Sequence, residues 1–188
     1  KDLMSYLGSE FKHPSVEGFD VSHHGGKDAV ASAVKFSVQG PEKSKYRLFN
    51  IPLTLSGNDI GSLQHILERR INQVDFNPLP DIVLIDGGKL QLDAALKIFS
   101  RKLKKPPIIL SIVKGSKRVR ATETILSKNG ILEMPKDSPG FLLLQQIRDE
   151  SHRFAIMSNR KKKNKTIKLS SLDKINGLGP KRKKNISS

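Results

Sequence analysis

The amino-acid sequence predicts an α/β fold: one mixed sheet that opens with three antiparallel strands, continues through parallel β-α-β crossovers and carries helices on both faces. Three observations predict it. Short alternating segments separated by turn residues fill positions 15–51. Two almost wholly apolar runs rich in β-branched residues, DIVLI (81–85) and PIILSIV (107–113), each follow an amphipathic helical pattern. A long helical pattern then opens at Asp137-Ser138-Pro139.

SVEGFDVS (15–22) alternates and reads as a strand. AVASAVKFSV (29–38) reads as a second, reached through the turn-like HHGGKD. Gly40-Pro41-Glu42 marks a turn into a third, SKYRLFNI (44–51). Short strands joined by tight turns make an antiparallel meander. Ser56-Gly57-Asn58-Asp59 is N-cap chemistry, and Ile60, Leu63, Ile66, Leu67 and Ile71 follow at helical spacing. Pro78 and Pro80 end that helix before DIVLI. Asp86-Gly87-Gly88 turns the chain into a second helix carrying Leu90, Leu92, Ala95, Leu96, Ile98 and Phe99, before PIILSIV. Residues 114–137 are polar and less regular, with Thr122–Leu126 and Ile131–Met134 placed to form a hairpin. Pro139 then starts a helix to about 158, because proline suits the first helical position. A basic stretch, 159–168, reads as a linker, and Leu172–Ile186 as a small helix-loop-helix about Asn176-Gly177-Leu178-Gly179-Pro180.

Composition narrows the function. The 188 residues hold no Cys, which excludes disulfides, thiolate zinc sites and a thiol nucleophile, and fits a reducing cytoplasm. No apolar run approaches the length of a membrane span. The opening KDLMSYLGSEFKHP reads as a chain picked up partway through a longer protein. Net charge is +16, and from Arg160 onward eleven Lys or Arg face one acid, Asp173. Such a tail calls for a polyanion, nucleic acid before a membrane surface, since no large apolar face accompanies the charge. There is no P-loop, dinucleotide glycine fingerprint, H-E-x-x-H or G-x-S-x-G, so no nucleotide cofactor is expected.

The chemistry rests on a few side chains. Asp20 lies inside an apolar strand, where a carboxylate is costly to bury alone. Asp86 ends DIVLI, and ligands of open α/β sheets bind beyond the carboxyl ends of strands. If those two strands are neighbours, the carboxylates meet, and a divalent cation with a taste for oxygen, Mg²⁺ or Mn²⁺, relieves their repulsion. His152 on the last helix joins only if that helix crosses the crevice; Asp149 sits at i−3 from it and Arg148 at i−4. Asp59 opens the first helix, where an acid also suits the dipole. His23, with His24, follows the first strand closely. Lys89 follows the glycine pair and can meet a phosphate. Gly177 and Gly179 make a tight turn whose backbone N–H groups can bond DNA phosphates, with Lys181, Arg182 and Lys183 beside it and Arg160, Lys161, Lys162 and Lys163 upstream.

Taken together, GFDVSH, YRLFNI, GNDIGSLQHILERR, LPDIVLIDGGKLQL, MPKDSPGFLLLQQIRDESHRFAI, NRKKK and SSLDKINGLGPKRKK resemble, in order and spacing, the C-terminal half of the UvrC family of bacterial excision-repair nucleases. The resemblance runs from about Ser15 to the end. It implies an RNase H-like endonuclease domain at 15–158, preceded by a lead-in (1–14) and followed by the basic linker (159–168) and a partial helix-hairpin-helix DNA-binding motif (169–188). It also implies a cytoplasmic, divalent-metal-dependent endodeoxyribonuclease that incises damaged double-stranded DNA 5′ to the lesion. UvrB, and UvrA upstream, would be partners through regions mostly outside this chain. The family's catalytic acids and histidine fall on Asp20, Asp86 and His152, with a further acid on Asp59; whether His152 is a ligand or a base is left open. Asn58 stands where the family commonly has an acid, and Leu90 where it usually has Gly. Two rival readings are a non-catalytic basic nucleic-acid-binding module and another RNase H-like nuclease, acting on hybrids or junctions.

Overall fold

A computed structural model describes residues 2–22, 30–75, 77–114 and 123–173, with side chains to residue 158. The chain divides into two compact units, Lys1–Ala155 and Ile156–Ser188. In the first, α1 (Asp2–Leu7) precedes β1 (Val16–Ser22), β2 (Val30–Ser37), β3 (Gly40–Pro41) and β4 (Arg47–Asn50). Then come α2 (Asp59–Ile71), β5 (Ile82–Asp86), α3 (Lys89–Lys102), β6 (Ile108–Val113), β7 (Thr124–Ser127), β8 (Gly130–Ile131) and the start of α4 (Pro139–Asp173). The strands form one sheet in the order β3-β2-β1-β5-β6-β7-β8, with β4 also paired to β2. β1 and β2 are antiparallel, whereas β1–β5 and β5–β6 are parallel. This is the mixed sheet the patterning predicts.

Alternation along the strands sends side chains to two separate cores. Phe19, Val83, Ile85 and Ile109 pack under α2 and α3, with Leu63, Leu67, Ala95 and Phe99. Val16, Val34, Leu84, Leu110 and Ile112 pack under α1 and α4, with Leu3, Phe141, Leu144 and Ile147. Each fully buried Ile, Leu or Phe contributes about 1.5–3 kcal/mol of transfer free energy. Both faces of the central strands are therefore sealed, which explains why DIVLI and PIILSIV lack polar alternation.

Local choices agree with this plan. Asn58 caps α2, its Oδ1 accepting from the Gly61 N–H at 2.8 Å. At the start of α4, the buried Ser138 Oγ accepts from the Phe141 N–H at 3.3 Å, and Asp2 Oδ2 from the Gly140 N–H at 2.7 Å.

Four boundaries differ from expectation. The third strand starts at Arg47, because Lys43–Lys45 form a 3₁₀ turn that separates it from β3. The hairpin after β6 is shorter, Thr124–Ser127 with Gly130–Ile131. The lead-in contains α1, too short to show a helical period. The last helix does not stop near 158: it continues through 159–168 to Asp173. The charge of 159–168 does not interrupt the helix, because Lys and Arg favour helix and the first Gly or Pro beyond it is Gly177. The helix-loop-helix centred on Gly177 lies outside the described residues. None of the described helices is long and apolar enough to cross a membrane.

Candidate active site

The site begins with register. Phe19 pairs with Ile85 across the parallel β1–β5 ladder, so the next step along both strands brings Asp20 beside Asp86. Both carboxylates leave the sheet on the side of Gly18 and Leu84, the side that α4 covers. Gly18 explains how α4 comes so near. A Cβ built there would lie 2.5 Å from Ile147 Cγ2, inside any allowed contact, so only glycine admits this helix at this depth. One turn beyond Ile147, the buried Ser32 Oγ, on the residue paired with Asp20, donates to the Ser151 carbonyl at 2.8 Å. Tyr46 and Phe154 stack edge-to-face at 5.2 Å. These contacts fix the turn that carries His152.

His152 thus crosses the crevice. Its Nδ1 lies 3.1 Å from Asp20 Oδ2. Ligand atoms of Asp20, Asp86 and His152 all fall within 4.8 Å of one another. The environments are graded: the side chains of Asp20, Asp86 and His152 are 7%, 15% and 41% exposed. Burial pushes the Asp86 carboxyl above the usual carboxylate range; Lys114 pulls it down, Asp20 pushes it further up, and Arg148 and His152 oppose. A donor set of two crowded, largely buried carboxylates and an imidazole, open to solvent at one edge, fits a divalent cation.

Two buried ion-pair networks brace the site. Behind β1, Arg70 Nε and Nη2 donate to Glu17 Oε2 and Oε1, both at 2.8 Å, while Nη1 and Nη2 donate to the carbonyls of Asn77 and Pro78. This ties the end of α2 and the approach to β5 to the strand that bears Asp20. Beside α4, the buried Arg148 donates to Glu123, which also accepts from Gln145 Nε2 at 2.6 Å. At the turn after β5, Ser111 Oγ donates to the Gly87 carbonyl, and Gln91 Oε1 accepts from the Gly88 N–H at 3.0 Å.

The remaining candidates are dispersed. Asp59 is exposed at the start of α2 and lines a small cleft with Val21, Asp86 and Gln91, on the other side of the sheet end from His152. Asp149 is 58% exposed and pairs with Arg148 instead of joining the cluster. Lys89 is 80% exposed and lies 3.8 Å from Asp93 on its own helix. His23, Gly177, Gly179, Lys181, Arg182 and Lys183 lie outside the described residues. Arg160, Lys161, Lys162 and Lys163 lie on the continuation of α4. Sequence reasoning missed Lys114, whose Nζ is 4.0 Å from Asp86 Oδ2. Its signal was a cation one residue past a buried strand that neighbours the strand of Asp86.

Comparison with known proteins adds to this geometry. The profile of the family described as "UvrC RNAse H endonuclease domain" matches residues 5–156, close to the extent of the first unit. UvrABC system protein C of Aliivibrio fischeri is 43% identical over 173 residues, which is 89% of this chain and 28% of that protein. The Vibrio parahaemolyticus protein of the same name is 41% identical over 188 residues, 97% of this chain and 31% of its own length. For the Dictyoglomus thermophilum protein the figures are 42% identity, 90% and 28%. The chain therefore spans less than a third of the length of these relatives. Among solved structures, human ENDOV superposes with a TM-score of 0.48 at 13% identity over 78% of this chain and 86% of that one. The family match covers the whole of the site and most of the chain: this chain belongs to the UvrC RNase H endonuclease domain family.

Proposed function

We propose that this domain hydrolyses DNA phosphodiester bonds at the cluster of Asp20, Asp86 and His152, using Mg²⁺ or Mn²⁺. In the full-length protein it makes the incision 5′ to a lesion in damaged double-stranded DNA, in the cytoplasm, working with UvrB and, upstream, UvrA. The observation that carries the reading is the convergence of the three side chains, from residues far apart in sequence, within 4.8 Å at the carboxyl ends of parallel strands.

Asp20 and Asp86 would hold the cation, and His152 would either complete the donor set or serve as the base. When bound, such an ion polarises the phosphate and acidifies a water. Asp20 also orients the imidazole. With its Oδ2 accepting from His152 Nδ1–H, the ring keeps its Nε2 lone pair away from Asp20. That lone pair is then placed for one of two roles, binding the cation or taking a proton from the attacking water. Asp59, in the adjoining cleft, faces the reacting strand from the α2 side. Lys89, the basic continuation of α4 (Arg160, Lys161, Lys162, Lys163) and the segment of Gly177, Gly179, Lys181, Arg182 and Lys183 grip the DNA backbone.

Two variants test the site in a nicking assay on a lesion duplex with UvrB and Mg²⁺. Asp20→Asn should abolish cutting and Mn²⁺ binding together; a protein that still nicks sinks the assignment. His152→Gln separates its two roles. Loss of Mn²⁺ affinity marks a ligand, whereas retained affinity with a rate lowered on the order of 10²- to 10⁴-fold marks a base.

A further inference from the structure

Lys114 plays no part in the hydrolysis proposed for Asp20, Asp86 and His152. It follows Val113, the last residue of β6. Ile112 points into the core beneath α4, so residue 114, two further on, falls on the same side of the sheet as Asp20 and Asp86. Asp86 and Ile112 are register partners, which sets Lys114 one step beyond the catalytic end of the neighbouring strand. Its side chain is 60% exposed, and 4.0 Å separates its Nζ from Asp86 Oδ2, beyond hydrogen-bond reach. An ion pair this open and this long contributes little to stability. Arg148, whose charge also reaches Asp86, differs: it is buried and committed to Glu123 and Asp149. Lys114 is thus a loosely held cation on a flexible stem at the rim of the carboxylate pair.

We propose that Lys114 is a substrate-contacting residue: its ammonium gives up Asp86 when a divalent cation takes that carboxylate, and donates to a non-bridging oxygen of the scissile phosphate. The inference rests on the nuclease reading of Asp20, Asp86 and His152. Two carboxylates make the crevice hostile to a phosphodiester, and a donor on the rim offsets that repulsion where the anion enters. A four-carbon stem with three rotatable donors suits a group that changes partners. In the reaction, the water oxygen bonds to phosphorus, one P–O ester bond breaks, and one proton passes from the water to the leaving oxygen. Charge on the non-bridging oxygens is what Lys114 meets, and it keeps its own protons throughout.

The two partners make effects of opposite sign. Because Lys114 and a bound cation contend for Asp86, Lys114→Gln should tighten Mn²⁺ binding while slowing cutting. The test uses the full-length protein carrying this chain, with Lys114→Gln, Lys114→Arg and Asp20→Asn in parallel. Mn²⁺ affinity is read by calorimetry without DNA, and single-turnover nicking of a lesion duplex is read at saturating Mn²⁺ in the complete incision reaction. Lys114→Gln is expected to bind Mn²⁺ roughly two- to fivefold tighter, a unit charge about 4 Å away having gone. It should cut on the order of 10²-fold more slowly, the usual cost of removing one anion donor. Lys114→Arg should recover part of the rate, and Asp20→Asn should lose both signals. If Lys114→Gln cuts normally while Asp20→Asn is dead, Lys114 merely balances Asp86: this inference falls and the nuclease reading stands. If Lys114→Gln loses Mn²⁺ affinity as well as rate, the residue is structural and the inference falls. If Asp20→Asn binds Mn²⁺ and cuts like the parent protein, the nuclease reading itself fails, and this inference with it.

Discussion

Asp86 shows how one residue trades stability for chemistry. Burial raises its pKa, and the neighbouring Asp20 charge raises it further. A carboxyl whose folded pKa exceeds its unfolded value favours folding only while protonated. That contribution is present below the unfolded value, about 3.9, and is lost as pH rises through the folded value. Above the folded value the ionised Asp86 therefore opposes folding. Asp86→Asn should raise the Tm of the metal-free protein at pH 7, with the advantage shrinking as pH falls toward 4, while nicking is lost. Each kcal/mol gained reads as roughly 2–4 °C for a domain of this size. Excess Mn²⁺ should reverse the order, since an ion at 100 times its Kd stabilises by about 2.7 kcal/mol and the Asn variant forgoes it. Scanning calorimetry with and without Mn²⁺ checks both; a metal-free Asp86→Asn protein that melts lower than its parent contradicts the linkage.

Among the elements, α4 sets the site, and its depth depends on a residue that carries no function of its own. Gly18→Ala forces a Cβ against Ile147 Cγ2, so that side chain and the helix carrying it are pushed outward. Overpacking of this kind costs about 1–3 kcal/mol. The catalytic cost should be larger than that loss predicts, on the order of 10²-fold, because a shift near 1 Å carries His152 off Asp20. Ile147→Ala in the same chain should restore part of the rate by vacating the space. Rates measured well below each variant's Tm separate displacement from unfolding, and no recovery in the double variant would refute the steric account. How far such features are legible depends on their range. Periodicity read the strands around Asp20 and Asp86 and the helix around His152, because each signal lies within a dozen residues. It also placed the two acids together conditionally, on strand adjacency that β1–β5 pairing supplies. What it could not read are contacts between distant segments. The Glu17–Arg70 clamp joins residues 53 apart, and Ser32 meets Ser151 across 119. The role of Gly18 is likewise set by a distant residue, Ile147 on the helix packed against it.

At the scale of the whole molecule, charge is segregated from chemistry. The carboxylates and His152 belong to the first unit, Lys1–Ala155, whereas eleven Lys or Arg and a single acid lie from residue 160 onward. On the proposed function, a polyanion would be gripped mainly by one unit and cut by the other. Phosphate contacts are sequence-independent, and their strength follows counterion release. Replacing Arg160, Lys161, Lys162 and Lys163 with Gln should reduce the slope of log affinity against log salt by about 0.9 for each phosphate no longer neutralised, hence by roughly 3 to 4 if all four side chains neutralise one. The weakening should be similar for any duplex sequence, and largest at low salt. Mn²⁺ affinity at the Asp20–Asp86 crevice should not change, since these four residues belong to the other unit. Fluorescence anisotropy of labelled duplexes between about 50 and 200 mM salt reads the slope directly. An unchanged slope would remove this stretch from the DNA grip and leave the work to the segment beyond it. A changed Mn²⁺ affinity would mean that the two units are coupled, and that the basic arm acts on the chemistry as well as on the hold.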